Sequence, residues 1–212
     1  MLRIDQRGAM GIGAMIIFIA MVLVAGIAAY VILTTSNQLQ MKSSSTGIQT
    51  ISEVSSGVKI STIEGHNTSG KIDKMVIMIT PRAGSPVISI ASTIMEVSNS
   101  STKYILKYSS TYWVDGTAGL TDLFKTNTFS PVADEFGLIV IKDDDHSCIQ
   151  NLPILTKDDN VMLTVNTTAI FNGILQNENI LGNVIPNQGS WGIIQFRAPS
   201  AFGQEVFILQ EG

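Results

Sequence analysis

The sequence predicts an α+β chain: one long N-terminal α-helix followed by an antiparallel β-sandwich head of Ig-like type. Three observations carry this. Residues 9–33 form an apolar run with no charge and no proline. Residues 34–60 keep a helical apolar period while the rest of the segment turns polar. Beyond about residue 64 the period gives way to short β-branched runs separated by turn residues.

The apolar run, AMGIGAMIIFIAMVLVAGIAAYVIL, has 25 residues. As a helix it spans roughly 37 Å, more than the ~30 Å hydrocarbon core of a bilayer. Arg3 and Arg7 precede it, with Asp5 between them, and favour a cytoplasmic N-terminus. The run is too long for an ordinary secretory signal and continues into helix-compatible sequence without a proline break. Gly11, Gly13, Ala14, Ala20, Ala25, Gly26, Ala28 and Ala29 are scattered among its large residues. Glycine inside a helix costs about 1 kcal/mol relative to alanine, whereas small residues let helix backbones approach closely. The helix alone leaves two readings open: packing against copies of itself, or a lone membrane anchor.

In the next segment Met41, Ile48, Ile51, Val54 and Val58 fall at helical spacings among Ser, Thr, Gln and Gly. This predicts an amphipathic continuation of the helix, with a flexible linker as the alternative reading of Ser43–Ser45 and Gly47. The expected strands of the head are 75–80, 87–97, 103–108, 136–142, 161–166, 191–197 and 205–209. Seven short strands with no long helical pattern between them suit an antiparallel sandwich and disfavour a parallel α/β sheet. Residues 111–130 are the most irregular and are expected as surface loops.

Composition restricts function. Charged residues are 14% of the 212, against about 25% in typical soluble proteins, and mean hydropathy is +0.30. Residues 61–212 carry nine basic and fifteen acidic side chains, so phosphate backbones would be repelled and nucleic acid is not a partner. The single cysteine, Cys148, excludes an intrachain disulfide and a cysteine-based zinc cluster, and reads as a small packing residue.

Asp143-Asp144-Asp145-His146-Ser147-Cys148 is the one catalytic-looking cluster. Sequence neighbours point in divergent directions and do not converge as a triad must, and the other histidine, His66, falls in an expected loop. No catalytic residue, cofactor or metal is assigned, and the chain is not expected to be an enzyme. Asp143 and Asp145 carry oxygens that suit Ca²⁺, but the full twelve-residue EF-hand pattern is missing and a solvated acidic turn is the favoured reading. Three N-x-S/T sequons, at Asn67, Asn99 and Asn166, are N-glycosylation candidates. Asn67 and Asn99 are expected in loops and Asn166 at a strand end.

The N-terminal stretch RGAMGIGAMIIFIAMVLVAGIAAYVIL resembles the start of archaellins, relatives of type IV pilins. Phe136–Asp145, Asp159–Asn166 and Ile180–Pro199 resemble the middle and C-terminal parts of archaellin heads; residues 65–130 match poorly. Where bacterial pilins have glutamate at the fifth mature position this chain has Gly13, and where archaellins usually have glutamate after the first C-terminal proline it has Asn187.

The resemblance implies cleavage by a prepilin-type membrane peptidase between Gly8 and Ala9. It therefore implies a leader at 1–8, a filament-core helix at 9–62 and an outward-facing β-sandwich at 63–212. It implies a structural subunit of the archaeal motility filament, the archaellum, inserted in the membrane as precursor and extracellular when assembled. The implied partners are copies of itself, alone or with other archaellins, and an export and motor machinery. Two alternatives stand beside it: an archaeal type IV adhesion pilin, and a single-pass anchored extracellular binding protein.

Overall fold

A computed structural model describes residues 6–212; Met1–Asp5 of the expected leader lie outside the described residues. The chain divides into two units at Thr50/Ile51. The first is almost wholly α1, Gln6–Ser55, a single helix. The second holds the last turn of α1 and all the strands: β1 Val58–Thr68, β2 Lys71–Pro81, β3 Ile88–Ser89, β4 Ile94–Ser98 and β5 Lys103–Asp115, then β6 Glu135–Lys142, β7 Cys148–Ile149, β8 Leu152–Leu155 and β9 Asn160–Asn166. A five-residue helix α2, Thr167–Phe171, follows, then β10 Asn179–Ile185, β11 Gly192–Arg197 and β12 Val206–Glu211.

What stops α1 is the backbone at Gly57. Its φ of +131° is unfavourable for a side chain, and a Cβ there would meet the Ser190 carbonyl oxygen at 2.3 Å. Gly57 instead bridges Ser190, the Val58 amide donates to the Ser190 carbonyl (3.2 Å), and the Ser85 hydroxyl accepts from the Gly57 amide (2.9 Å). Val58, expected as the last position of the helical stripe, is therefore the first residue of β1 and is fully buried. Four apolar residues at a spacing of three or four do not distinguish the end of a helix from the entry to a strand.

Nine strands form one sheet in the order β11-β10-β4-β5-β6-β9-β2-β1-β12, and β3-β8-β7 form a second, small one. All pairs are antiparallel except β5–β6, where the long connection 116–134 returns the chain in the same direction. The two layers of the expected sandwich are thus the two halves of one curved sheet. Met95, Val97, Leu106, Ile180, Val184 and Ile194 from one half share a continuous core with Ile77, Ile79, Leu138, Val140, Leu163 and Val165 from the other. The curvature brings the end strands together: the Gln210 side chain accepts from the Gln195 amide (2.8 Å) and donates to the Ile193 carbonyl (3.0 Å), standing in for backbone pairing between β12 and β11.

Residues 111–130 are not the surface loops expected. The first five belong to β5, and Phe124 and Phe129 are buried in a second cluster with Val76, Ile139 and Met162 on the outer face of β2, β6 and β9. Two strands escaped the sequence reading of the main sheet. β1 begins at the last position of the helical stripe and ends in His66 and Asn67, which are expected in a loop, and Thr68. β10 carries Gly182, Asn179 and Asn183, residues depleted in strands.

Candidate assembly surface

Between Met10 and Leu33, sixteen large apolar side chains of α1 are each more than half exposed. They cover every side of the helix, a pattern that belongs inside a bundle or a bilayer. Burying them removes on the order of tens of kcal/mol of unfavourable hydration. Further along, Met41, Ile48, Ile51 and Val54, the helical positions of the expected stripe, are also exposed, at 68–73%. A Cβ added at Gly11, Gly13, Gly26 or Gly47 would meet nothing within 4 Å, so no contact within the chain requires glycine at these positions. Hydroxyls on the helix are satisfied internally: Thr34 donates to the Tyr30 carbonyl (2.9 Å), Thr50 to Thr46 (2.9 Å) and Ser55 to Ile51 (2.8 Å). Such back-bonding lets polar residues face an apolar neighbour without an unpaired donor. Gly8 and Ala9 lie in the first turns of α1.

In the head, the acidic turn gains a third member. Asp143, Asp145 and Asp159 present oxygens within 4.8 Å of one another, donors of the kind hard cations take. Asp159, far in sequence from the turn, is brought in by the Thr156–Asp159 turn, where its carboxylate accepts from the Thr156 amide (2.6 Å) and hydroxyl (2.9 Å). Asp143 accepts from the amides of Ser147 (3.1 Å) and Cys148 (2.9 Å), and Asp145 from the Thr156 hydroxyl (3.0 Å). These bonds tie β6, β7 and β8 together.

Asp159 is 2% exposed, and its burial, helped by the charges of Asp143 and Asp145, holds its carboxyl above the ordinary range despite the Thr156 bonds. The folded chain then binds more protons than the unfolded one between the ordinary value and the raised one. Asp159 therefore costs stability as pH rises through that window. Asp159→Asn keeps an acceptor for Thr156 and removes the charge. Thermal melts in chelator from pH 3.5 to 7 should show the variant gaining steadily on the parent; a variant that melts lower at pH 7 would contradict this.

The other members of the cluster are structural. The Ser147 hydroxyl and the Cys148 thiol both donate to the Ile154 carbonyl (2.8 Å each). Burial, with Asp143 nearby, pushes the Cys148 thiol up to about 12, far from a nucleophilic thiolate. His66 lies in β1, not in a loop. Its ring meets Asp73 on β2 (2.7 Å) and Glu205 (3.4 Å), pinning the hairpin to the segment before β12.

The three sequons differ in setting. Asn67 lies within β1, its amide nitrogen donating to the Gln204 carbonyl (3.2 Å). Asn99 follows β4; its nitrogen donates to Glu178 (2.9 Å) and its oxygen accepts from the amides of Ser101 and Thr102. Asn166 ends β9 and caps α2, its oxygen accepting from the Ala169 amide (3.2 Å). Asn187, the departure from the archaellin pattern, accepts from the Ser89 amide (3.3 Å).

The sequence matches the family model for archaeal-type flagellin over residues 8–196. It is similar to flagellin B2 of Methanocaldococcus jannaschii, 39% identical over 211 residues, covering 97% of this chain and 96% of that one. Flagellin B4 of Pyrococcus abyssi is 38% identical over 219 residues, covering 97% and 99%. The crystal structure of archaeal flagellin FlaB1 from M. jannaschii superposes with a TM-score of 0.67 at 29% identity, covering 74% of this chain and 98% of that one. The archaeal flagellum of Methanospirillum hungatei shares the fold over 93% of this chain and 99% of that one, with a TM-score of 0.59 at 14% identity.

Proposed function

This chain belongs to the archaeal-type flagellin family, and we infer that it is a structural subunit of the archaeal motility filament, polymerising through α1. The observation that carries the inference is the bare helix, whose apolar side chains of residues 10–33 are exposed on every side. The family is one of filament proteins, so the cover is supplied by other copies. The glycines of α1, which cost helix stability without relieving any contact in the chain, are then the places where neighbouring helices approach.

The precursor sits in the membrane with the helix spanning. A prepilin-type peptidase cuts between Gly8 and Ala9 and removes Arg3, Asp5 and Arg7, charges that would be costly in a helix bundle unless paired. The helix then passes from lipid into the bundle without its apolar surface meeting water. One repeated non-closing contact gives a helical filament. The mature subunit is extracellular, and turning the filament falls to a membrane motor built of other proteins. The hydroxyl back-bonding of α1 and the self-sufficient core of the head support this division into an assembling part and a displayed part.

N-terminal sequencing of filaments sheared from cells tests the processing step. The expected first residue is Ala9. A chain beginning at Met1 and recovered only from membranes would favour the anchored binding protein.

A further inference from the structure

We propose that N-glycosylation of this subunit occurs at Asn166, and that Asn67 and Asn99 are carried unmodified as structural asparagines. The proposal rests on the reading of the chain as an exported filament subunit, which places the head outside the cell, where glycan transfer takes place.

The acceptor in this reaction is the side-chain nitrogen. It displaces the lipid phosphate from the anomeric carbon of a lipid-phosphate-linked oligosaccharide: the C–N bond forms, the C–O bond to phosphate breaks, and the amide nitrogen gives up one proton. A nitrogen engaged inside the fold is a poor acceptor, and a glycan placed there must emerge through the groups that engage it.

In Asn67 the nitrogen is spent on the Gln204 carbonyl (3.2 Å), and the amide oxygen is buried with no hydrogen-bond partner, so the group is held against the segment before β12. In Asn99 both ends are used: the nitrogen holds Glu178 (2.9 Å), while the oxygen gathers the Ser101 amide (2.9 Å), the Thr102 amide (2.8 Å) and the Thr102 hydroxyl (3.1 Å). Asn166 differs in the atom that matters. Its oxygen does the structural work, capping Ala169 (3.2 Å), and its nitrogen has no partner among the described residues. Glycan attached to that nitrogen leaves the cap intact. Thr168, which completes the sequon, is exposed.

The three sequons fall on three separate tryptic peptides, 60–71, 83–103 and 158–197. Mass spectrometry of filaments sheared from an archaeal host that glycosylates exported proteins therefore reads each site alone. Glycan is expected on 158–197 and absent from the other two. Thr168→Ala, which destroys the sequon but keeps the Asn166 cap, should remove the whole mass increment; Asn67→Gln and Asn99→Gln should leave it unchanged. Filaments with glycan on 60–71 or 83–103 and none on 158–197, or filaments with no glycan, would overturn the proposal while leaving the filament reading standing. Absence of the chain from surface filaments would instead defeat the filament reading itself.

Discussion

Ala25→Asp is expected to abolish filaments while leaving the head folded. Ala25 lies in the middle of the apolar part of α1, in a surface also formed by Ile17, Met21 and Val24. A carboxylate at the centre of a bilayer-spanning helix costs about 2.5–3.5 kcal/mol, and one buried unpaired in a helix bundle costs several kcal/mol per ion. Each subunit carries the defect, so subunit incorporation should fall roughly a hundredfold or more. The head keeps its own core, built from residues beyond Ser55, and its thermal transition should not move. Ala25→Ser is the matched control: its hydroxyl can donate to the carbonyl four residues back, as Thr34 does to Tyr30, and filaments should persist. Electron microscopy of cell surfaces and sheared fractions reads the outcome. Normal filaments from Ala25→Asp would mean that this stretch of α1 is not buried in the assembly.

Gly137→Ala is expected to destabilise the head by about 4 kcal/mol, combining overpacking with the loss of a buried hydrogen bond. A Cβ at 137 would lie 1.9 Å from the Thr128 carbonyl oxygen and 2.6 Å from both the Thr164 hydroxyl and the Tyr112 carbonyl. These atoms cannot yield independently, because the Thr164 hydroxyl donates to the Thr128 carbonyl in a buried 2.6 Å bond. That bond seats the β5–β6 connection, with Phe124 and Phe129, on the outer face of β6 and β9. The methyl group would lift the connection and expose the cluster beneath. A melting temperature lower by about 12 °C follows. Gly203→Ala, where a Cβ would meet nothing within 4 Å, should change it by less than 2 °C.

The sequence made α1 legible because an apolar run of this length without charge has few alternative structures, and the strands of the central sheet because buried β-branched runs such as Phe136–Lys142 and Val161–Asn166 announce themselves. Features decided by long-range contact were not legible. The end of α1 depends on Ser190, more than a hundred residues away, accepting the Gly57 bridge. In β10 the strand formers Ile180, Val184 and Ile185 are interrupted by Gly182 and Asn183, and the strand is held because Gly182 lets β4 approach, a Cβ there falling 2.1 Å from the Glu96 carbonyl. The union of both layers in one sheet depends on the parallel β5–β6 pairing across the long 116–134 connection, and the closure of its ends on the Gln210 side chain. Asp159 joined Asp143 and Asp145 through a turn fourteen residues downstream of Asp145, a spacing that matches no ligand motif. Of the sequons, motif alone could not rank the three, since the ranking depends on which amide nitrogen the fold has already used.

If other copies of α1 supply the cover missing from α1, electron cryo-microscopy of filaments sheared from cells should show a core of packed helices in which residues 10–33 contact only other helices, with Gly11, Gly13 and Gly26 at the closest approaches and the β heads outside. Filaments held together by head contacts alone, with α1 in lipid or exposed to solvent, would contradict it.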